Sequence, residues 1–262
     1  MTGVHTEDTL LVERRSGMCI ISLNRPERMN ALNGELVRRI EEAVEDFDDD
    51  DELFVMIITS EGGRAFSAGA DLIEMAMQPT PGGALGAGAT FLSAVDRCRK
   101  PLIAAIDGYA LAGGLELALY CDIRVATIAS AFGLPEPRRS LLAGPGLHNL
   151  SRMIPLGEAL RMQLTGGHIT AQRAYEIGLV QILAPDRVVL MAEAERLAEE
   201  VMLCAPLAVQ AIKHIVKVGR NLPVEYSKVI AEPFEERIYN SEDFREGPAA
   251  FAEKRAPKWK MR

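Results

Sequence analysis

The sequence predicts an α/β fold built on parallel strand pairs, and three observations support it. Continuous apolar runs at Leu53–Thr59, Pro101–Ile106 and Asp122–Ala126 have the character of strands buried on both faces. Helical stretches alternate with them, at Ala89–Cys98 and Gly114–Tyr120, which is the βαβ order that parallel sheets require. Beyond residue 150 the pattern turns mostly helical. A length of 262 residues fits one larger core with a helical C-terminal part.

Taken in order, Leu10–Arg15 and Met18–Leu23 flank Ser16-Gly17 and read as a hairpin. A loop follows over Asn24-Arg25-Pro26-Glu27-Arg28-Met29-Asn30, then a helix from about Asn33 to Phe47, with Leu36, Ile40, Val44 and Phe47 at helical spacing. The acidic run Asp46–Glu52 reads as a solvated connector, and Gln78–Gly88, with Pro79, Pro81 and four glycines, as a mobile loop. Later helices are expected at Leu156–Leu164, Ala171–Ile177, Val188–Leu203 and Pro206–Gly219, the last opened by a proline suited to a first turn.

Composition excludes several classes of function. The net charge is −8, and no Lys/Arg-rich stretch offers a face for nucleic acid. No apolar run is long enough to span a membrane, and the opening residues lack a signal-peptide core. Cys19, Cys98, Cys121 and Cys204 form no CxxC pair, which argues against a zinc site or a disulfide framework and fits a reducing cytoplasm. His5, His168 and His214 show no metal-ligand spacing, and His148 reads as a loop residue that at most lines a pocket.

Chemistry points to three loop segments, the third being Phe132-Gly133-Leu134-Pro135-Glu136-Pro137. Ala65-Phe66-Ser67-Ala68-Gly69-Ala70-Asp71-Leu72 and Asp107-Gly108-Tyr109-Ala110-Leu111-Ala112-Gly113-Gly114-Leu115-Glu116 each follow a buried strand and run into a helix. Small residues allow a ligand close to the backbone, and the first amides of a helix are free to meet developing negative charge. Tight packing explains either segment alone equally well; together they suggest two donors converging on one oxygen. Glu116 lies one turn into an otherwise apolar helix, where it is either a working carboxylate or one favoured by the helix dipole. Glu136 stands between Pro135 and Pro137, which restrict its backbone; this either aims the side chain or marks a plain surface loop. A strand returning through Val125 would bring Glu136 beside Glu116, and two carboxylates around one water can do acid and base work.

Leu23-Asn24-Arg25-Pro26, Phe66-Ser67-Ala68-Gly69-Ala70-Asp71-Leu72 and Gly113-Gly114-Leu115-Glu116-Leu117-Ala118 resemble motifs of the enoyl-CoA hydratase/isomerase (crotonase) family, in the family's order. Leu164-Thr165-Gly166, Gly178-Leu179-Val180 and Phe251-Ala252-Glu253-Lys254-Arg255 extend the resemblance over nearly the whole chain. It implies a crotonase-like spiral of ββα units with the active site over residues 1–195, and a C-terminal helical subdomain over 196–262 that builds homotrimers or homohexamers. It implies an acyl-CoA substrate, with coenzyme A as part of that substrate and no cofactor or metal. The resemblance also assigns roles: the amides of Ala68 and Gly113 as oxyanion hole, Glu116 and Glu136 as catalytic pair, and Arg28, Met29, Ala31, Ala68, Gly69, Ala70, Asp71, Leu72 and Lys254 along coenzyme A. Both glutamates are present, which favours water addition to a 2-enoyl-CoA over an isomerase, a carnitinyl-CoA-type dehydratase or a non-catalytic acyl-CoA-binding module. Three departures bear on the acyl group: Leu142-Ala143-Gly144-Pro145-Gly146-Leu147-His148, Pro137-Arg138-Arg139 after Glu136, and Ala112 where a glycine is usual.

Overall fold

The computed structural model describes residues 8–77 and 92–261. Leu10–Arg15 (β1) and Met18–Leu23 (β2) pair antiparallel about Ser16-Gly17, as the sequence predicts. Helix α1 (Gly34–Asp49) starts where Asn33 accepts the Leu36 amide, and it buries Leu36, Ile40, Val44 and Phe47. The acidic run is less solvated than expected. Asp48 accepts the Arg99 and Lys100 amides at 2.9 and 3.2 Å, and Lys100 Nζ caps the Phe47 carbonyl at 2.9 Å, so this run ties the end of α1 to the segment that leads into the strand Leu102–Ile106.

β2 continues through β3 (Val55–Ser60), β5 (Leu102–Ile106), β7 (Ile123–Thr127) and β10 (Ile182–Ala184) as a six-stranded sheet, parallel from β2 onward. A second, four-stranded sheet is assembled from three-residue strands: β4 (Ala65–Ser67), β6 (Tyr109–Leu111), β8 (Ala131–Gly133) and β9 (His168–Thr170). The chain therefore steps from the large sheet to the small one and into a helix, repeatedly: β3-β4-α2 (Leu72–Met77), then β5-β6-α4 (Gly113–Tyr120). Between these units comes α3 (Ser93–Arg97); the glycine-rich segment predicted as a mobile loop lies outside the described residues. This is the α/β spiral of ββα units expected above.

Strand pleating explains why these strands read as continuous apolar runs, because alternate side chains enter different cores. Met56 and Ile58 join one cluster with α1 and α4, whereas Val55 and Ile57 join another with α8 (Arg187–Met202). Helices α5 (Pro145–Met153) and α6 (Leu156–Thr165) lie between β8 and β9 in sequence, and α7 (Ala171–Glu176) lies between β9 and β10. The expected division at 195/196 cuts through α8, whose Leu190, Ala194 and Ala198 all pack on the large sheet. We place the division after α8 instead, leaving α9 (Pro206–Gly219), α10 (Val224–Tyr239) and α11 (Glu242–Glu253) as the helical part.

Helix α4 is buried at every position, so its orientation is fixed from all sides. Its C-terminal carbonyls have a dedicated partner: the buried Arg124 guanidinium donates to Cys121 O at 2.8 Å and Ala118 O at 3.3 Å, and its Nε to Leu179 O at 2.6 Å. A buried cation needs such acceptors to be tolerated, and here it anchors the helix whose other end carries the candidate chemistry.

Candidate active site

Two backbone segments meet at the start of α4. Gly69 has φ +91°, and a Cβ there would lie 2.5 Å from Ala112 Cβ and 3.0 Å from Gly113 N. A Cβ on Gly114 would lie 2.2 Å from Ser67 O, so the strand end and the helix start touch backbone to backbone, which only glycine permits. Ala112, just before the helix, sits at φ 51°, ψ −128°, a conformation that costs a residue with a Cβ on the order of 1–3 kcal/mol. Its own amide is fixed to Gly133 O at 2.9 Å, and the turn it makes presents Gly113 at the first helical position, where no preceding turn accepts the amide.

The structure corrects one expected donor. Ala68 N–H donates to Met29 O at 3.0 Å and has no hydrogen left for a substrate oxygen. Gly69 N–H goes to Ser67 Oγ at 3.2 Å and Asp71 N–H to Leu32 O at 3.0 Å. Among the described residues, Ala70 is the amide of this segment that has no partner, and it follows the glycine that abuts Gly113 N.

The two glutamates are both buried, at 5% exposure for Glu116 and 9% for Glu136, which rules out the plain surface loop for the latter. Glu116 projects from the first turn of α4, and its Oε1 accepts the Gly146 amide at 2.8 Å from the start of α5. Burial raises its pKa, and the Gly146 and Gly144 amides oppose that rise. Glu136 opens a single 3₁₀ turn, Glu136–Arg139, that leaves β8. Its Oε2 is buried with no hydrogen-bond partner among the described residues. Burial, with the Glu116 charge adding to it, pushes the Glu136 carboxyl up to about 7. The fold thus makes the two carboxylates feel each other, one from a helix start and one from a strand end.

The other predicted residues divide into groups. Arg28, Met29 and Ala31 lie beside Ala68–Asp71: Leu32 N–H donates to Gly69 O at 2.8 Å, and Met29 adopts φ 51° as it caps the short turn Pro26–Arg28. Buried Asn30 holds this crossing together by donating to Glu61 O at 2.9 Å and Ala65 O at 2.8 Å. Asp71 has structural partners: Arg25 Nη2 at 3.1 Å, and the Ile73 and Glu74 amides at the start of α2. Burial would raise its pKa, yet the Arg25 hydrogen bond and those amides hold it below the usual range. Lys254 stands exposed at the end of α11, and no hydrogen bond or ion pair ties it to this cluster. Sequence reading assigned no role to the Gly146 amide; the small-residue run Gly144-Pro145-Gly146 was its signal.

Free amides at a helix start beside two perturbed carboxylates define an acid–base enzyme acting on a group whose oxygen gains negative charge. The comparisons with known proteins make that class specific. Residues 13–262 match the family model described as enoyl-CoA hydratase/isomerase, and the chain belongs to that family. It is 39% identical to enoyl-CoA hydratase EchA19 of Mycobacterium tuberculosis, over 100% of both chains. It is 37% identical to carnitinyl-CoA dehydratase of Salmonella typhi, covering 97% of this chain and 99% of that one. The crystal structure of enoyl-CoA hydratase EchA1 from Mycobacterium marinum superposes with a TM-score of 0.91 at 40% identity, covering 98% of this chain and 100% of that chain.

Proposed function

We propose that this protein is an enoyl-CoA hydratase, adding water reversibly to a 2-enoyl-CoA thioester. The observation that supports it most is the pair of buried glutamates, neither neutralised by a cation, beside two unpartnered amides. In this reading Ala70 and Gly113 N–H polarise the thioester carbonyl and stabilise the enolate-like state, each worth about 3–4 kcal/mol. Glu116, held by the Gly146 amide, positions the water and takes its proton as oxygen adds at C3. Glu136, whose carboxyl titrates near about 7, gives its proton to C2. Every proton transfer is assigned to the chain's own carboxylates, and coenzyme A enters as part of the substrate.

The coenzyme A arm is proposed to follow Arg28, Met29 and Ala31 on one side and Ala68–Leu72 on the other, with Lys254 contributing from a neighbouring copy. Among the described residues, no group of His, Cys, Asp or Glu is placed to hold a metal ion, and no single helix is long and apolar enough to cross a membrane. We place the protein in the cytoplasm, in keeping with four unpaired cysteines. A turnover screen over 2-enoyl-CoAs of varied length and branching, in isotope-labelled water, tests the reading. Label at C3 of the product is expected; double-bond migration without label would make the chain an isomerase, and binding without turnover would make it a carrier. The similarity to a carnitinyl-CoA dehydratase favours the same chemistry run as dehydration as a second reading.

The assembly is proposed to be a homotrimer or homohexamer. Helix α10 buries no residue, and Val224, Tyr226, Val229 and Tyr239 are each at least 60% exposed. So much apolar surface on one element calls for cover by further copies. Sedimentation is expected to give a multiple of three chains, and a stable monomer at micromolar concentration would refute it.

A further inference from the structure

Arg139 belongs to the motif that departs from the family pattern, and the structure gives it a specific place. The turn Glu136–Arg139 is a 3₁₀ helix, in which side chains three residues apart lie one above the other. Glu136 and Arg139 therefore stack on one side of the turn, separated by roughly 6 Å of rise at about 2 Å per residue, with Glu136 buried at the inner end and Arg139 exposed at the outer end of this shared face. Arg138 is turned elsewhere: its Nε donates to Thr165 O at 3.1 Å, and its stem covers Gly166. The Arg139 side chain makes no hydrogen bond or ion pair with any described residue, although its charge is felt by Glu136. It does not pair with Glu136, whose Oε2 stays unpartnered.

We infer that Arg139 selects acyl groups that end in a second carboxylate, so that the preferred substrate is a short ω-carboxylated 2-enoyl-CoA. This rests on the hydratase reading and names its substrate class. With C2 beside Glu136, an acyl chain running along the shared face passes C3 and meets the guanidinium about one short chain-length further on. A carboxylate one or two carbons beyond C3 matches that offset. A guanidinium fork recognises a carboxylate through paired charge-assisted hydrogen bonds, whereas an alkyl end leaves it without a partner.

The test compares two five-carbon substrates, glutaconyl-CoA with its terminal carboxylate and 2-pentenoyl-CoA without it, in wild type, Arg139→Leu and Arg139→Lys. Wild type is expected to favour glutaconyl-CoA in kcat/KM by about tenfold or more, the worth of a charge-assisted pair. Arg139→Leu should bring the ratio near unity, and Arg139→Lys should keep part of it. Because the ratio is read, any general change in Glu136 acidity cancels. A wild-type ratio at or below one, with pentenoyl-CoA hydrated, overturns the inference and leaves the hydratase reading standing. An unchanged ratio in Arg139→Leu removes Arg139 from recognition. Neither substrate hydrated, with both bound, overturns the hydratase reading and this inference with it.

Discussion

Glu116 and Glu136 do comparable work in opposite settings. Glu116 stands on a helix buried on every side, anchored at its far end by Arg124, and its carboxylate has an amide from Gly146. Glu136 stands on one 3₁₀ turn whose following residues are exposed, and its buried Oε2 has no partner among the described residues. The difference lies in how each pays for burial: the first by a hydrogen bond to its charged form, the second by keeping its proton to about pH 7. A carboxyl that is easily neutral is suited to donate, and one whose anion is supported by the Gly146 and Gly144 amides against the effect of burial is the better suited of the two to accept. That contrast, more than the mere presence of two glutamates, supports the division of acid and base.

The largest break in the comparison comes from removing either carboxylate. Glu116→Gln and Glu136→Gln are each expected to lower kcat by about 10²-fold or more, with binding of a non-reacting substrate analogue little changed. Steady-state kinetics beside calorimetric binding checks this, and a wild-type rate in either variant removes that residue from the chemistry. The double variant should lose far less than the product of the single losses, because the two act in one step.

Dependence on pH separates the two settings more finely. Hydration needs Glu136 protonated, so kcat is expected to fall as pH rises through about 7, while dehydration of the hydroxyacyl product should rise over the same range. Glu136→Gln should abolish both limbs; a limb near 7 that survives would assign the titration to another group. Stability follows the same carboxyl and gives the smallest effect. Its folded pKa of about 7 lies above the ordinary 4.5, so the folded state holds a proton that the unfolded chain has lost between those values. The stability that proton provides is present at low pH and lost as pH rises through about 7. Glu136→Gln should therefore raise Tm by a few degrees at about pH 8 and by less at about pH 5, measured by thermal unfolding; an equal shift at both would contradict the burial argument.

The sequence by itself determined the elements whose signal is local. Long apolar runs named β3, β5 and β7, the spacing of Leu36, Ile40, Val44 and Phe47 named α1, and Pro206 opened α9, because burial on both faces, on one stripe, or a fixed φ each leaves a mark on neighbouring residues. It also pointed to both glutamates. The second sheet left no such mark, since three-residue strands are too short to alternate. Helices α10 and α11 were hidden by Pro233 and Pro248 within them, and α10 by having no buried stripe. Only the tertiary structure decided that the Ala68 amide is spent on Met29, that Ala70 and Gly113 are the free pair, and that Gly146 holds Glu116. Which amide is free depends on what lies across from it, and residues 29, 68, 116 and 146 come together only when the spiral closes.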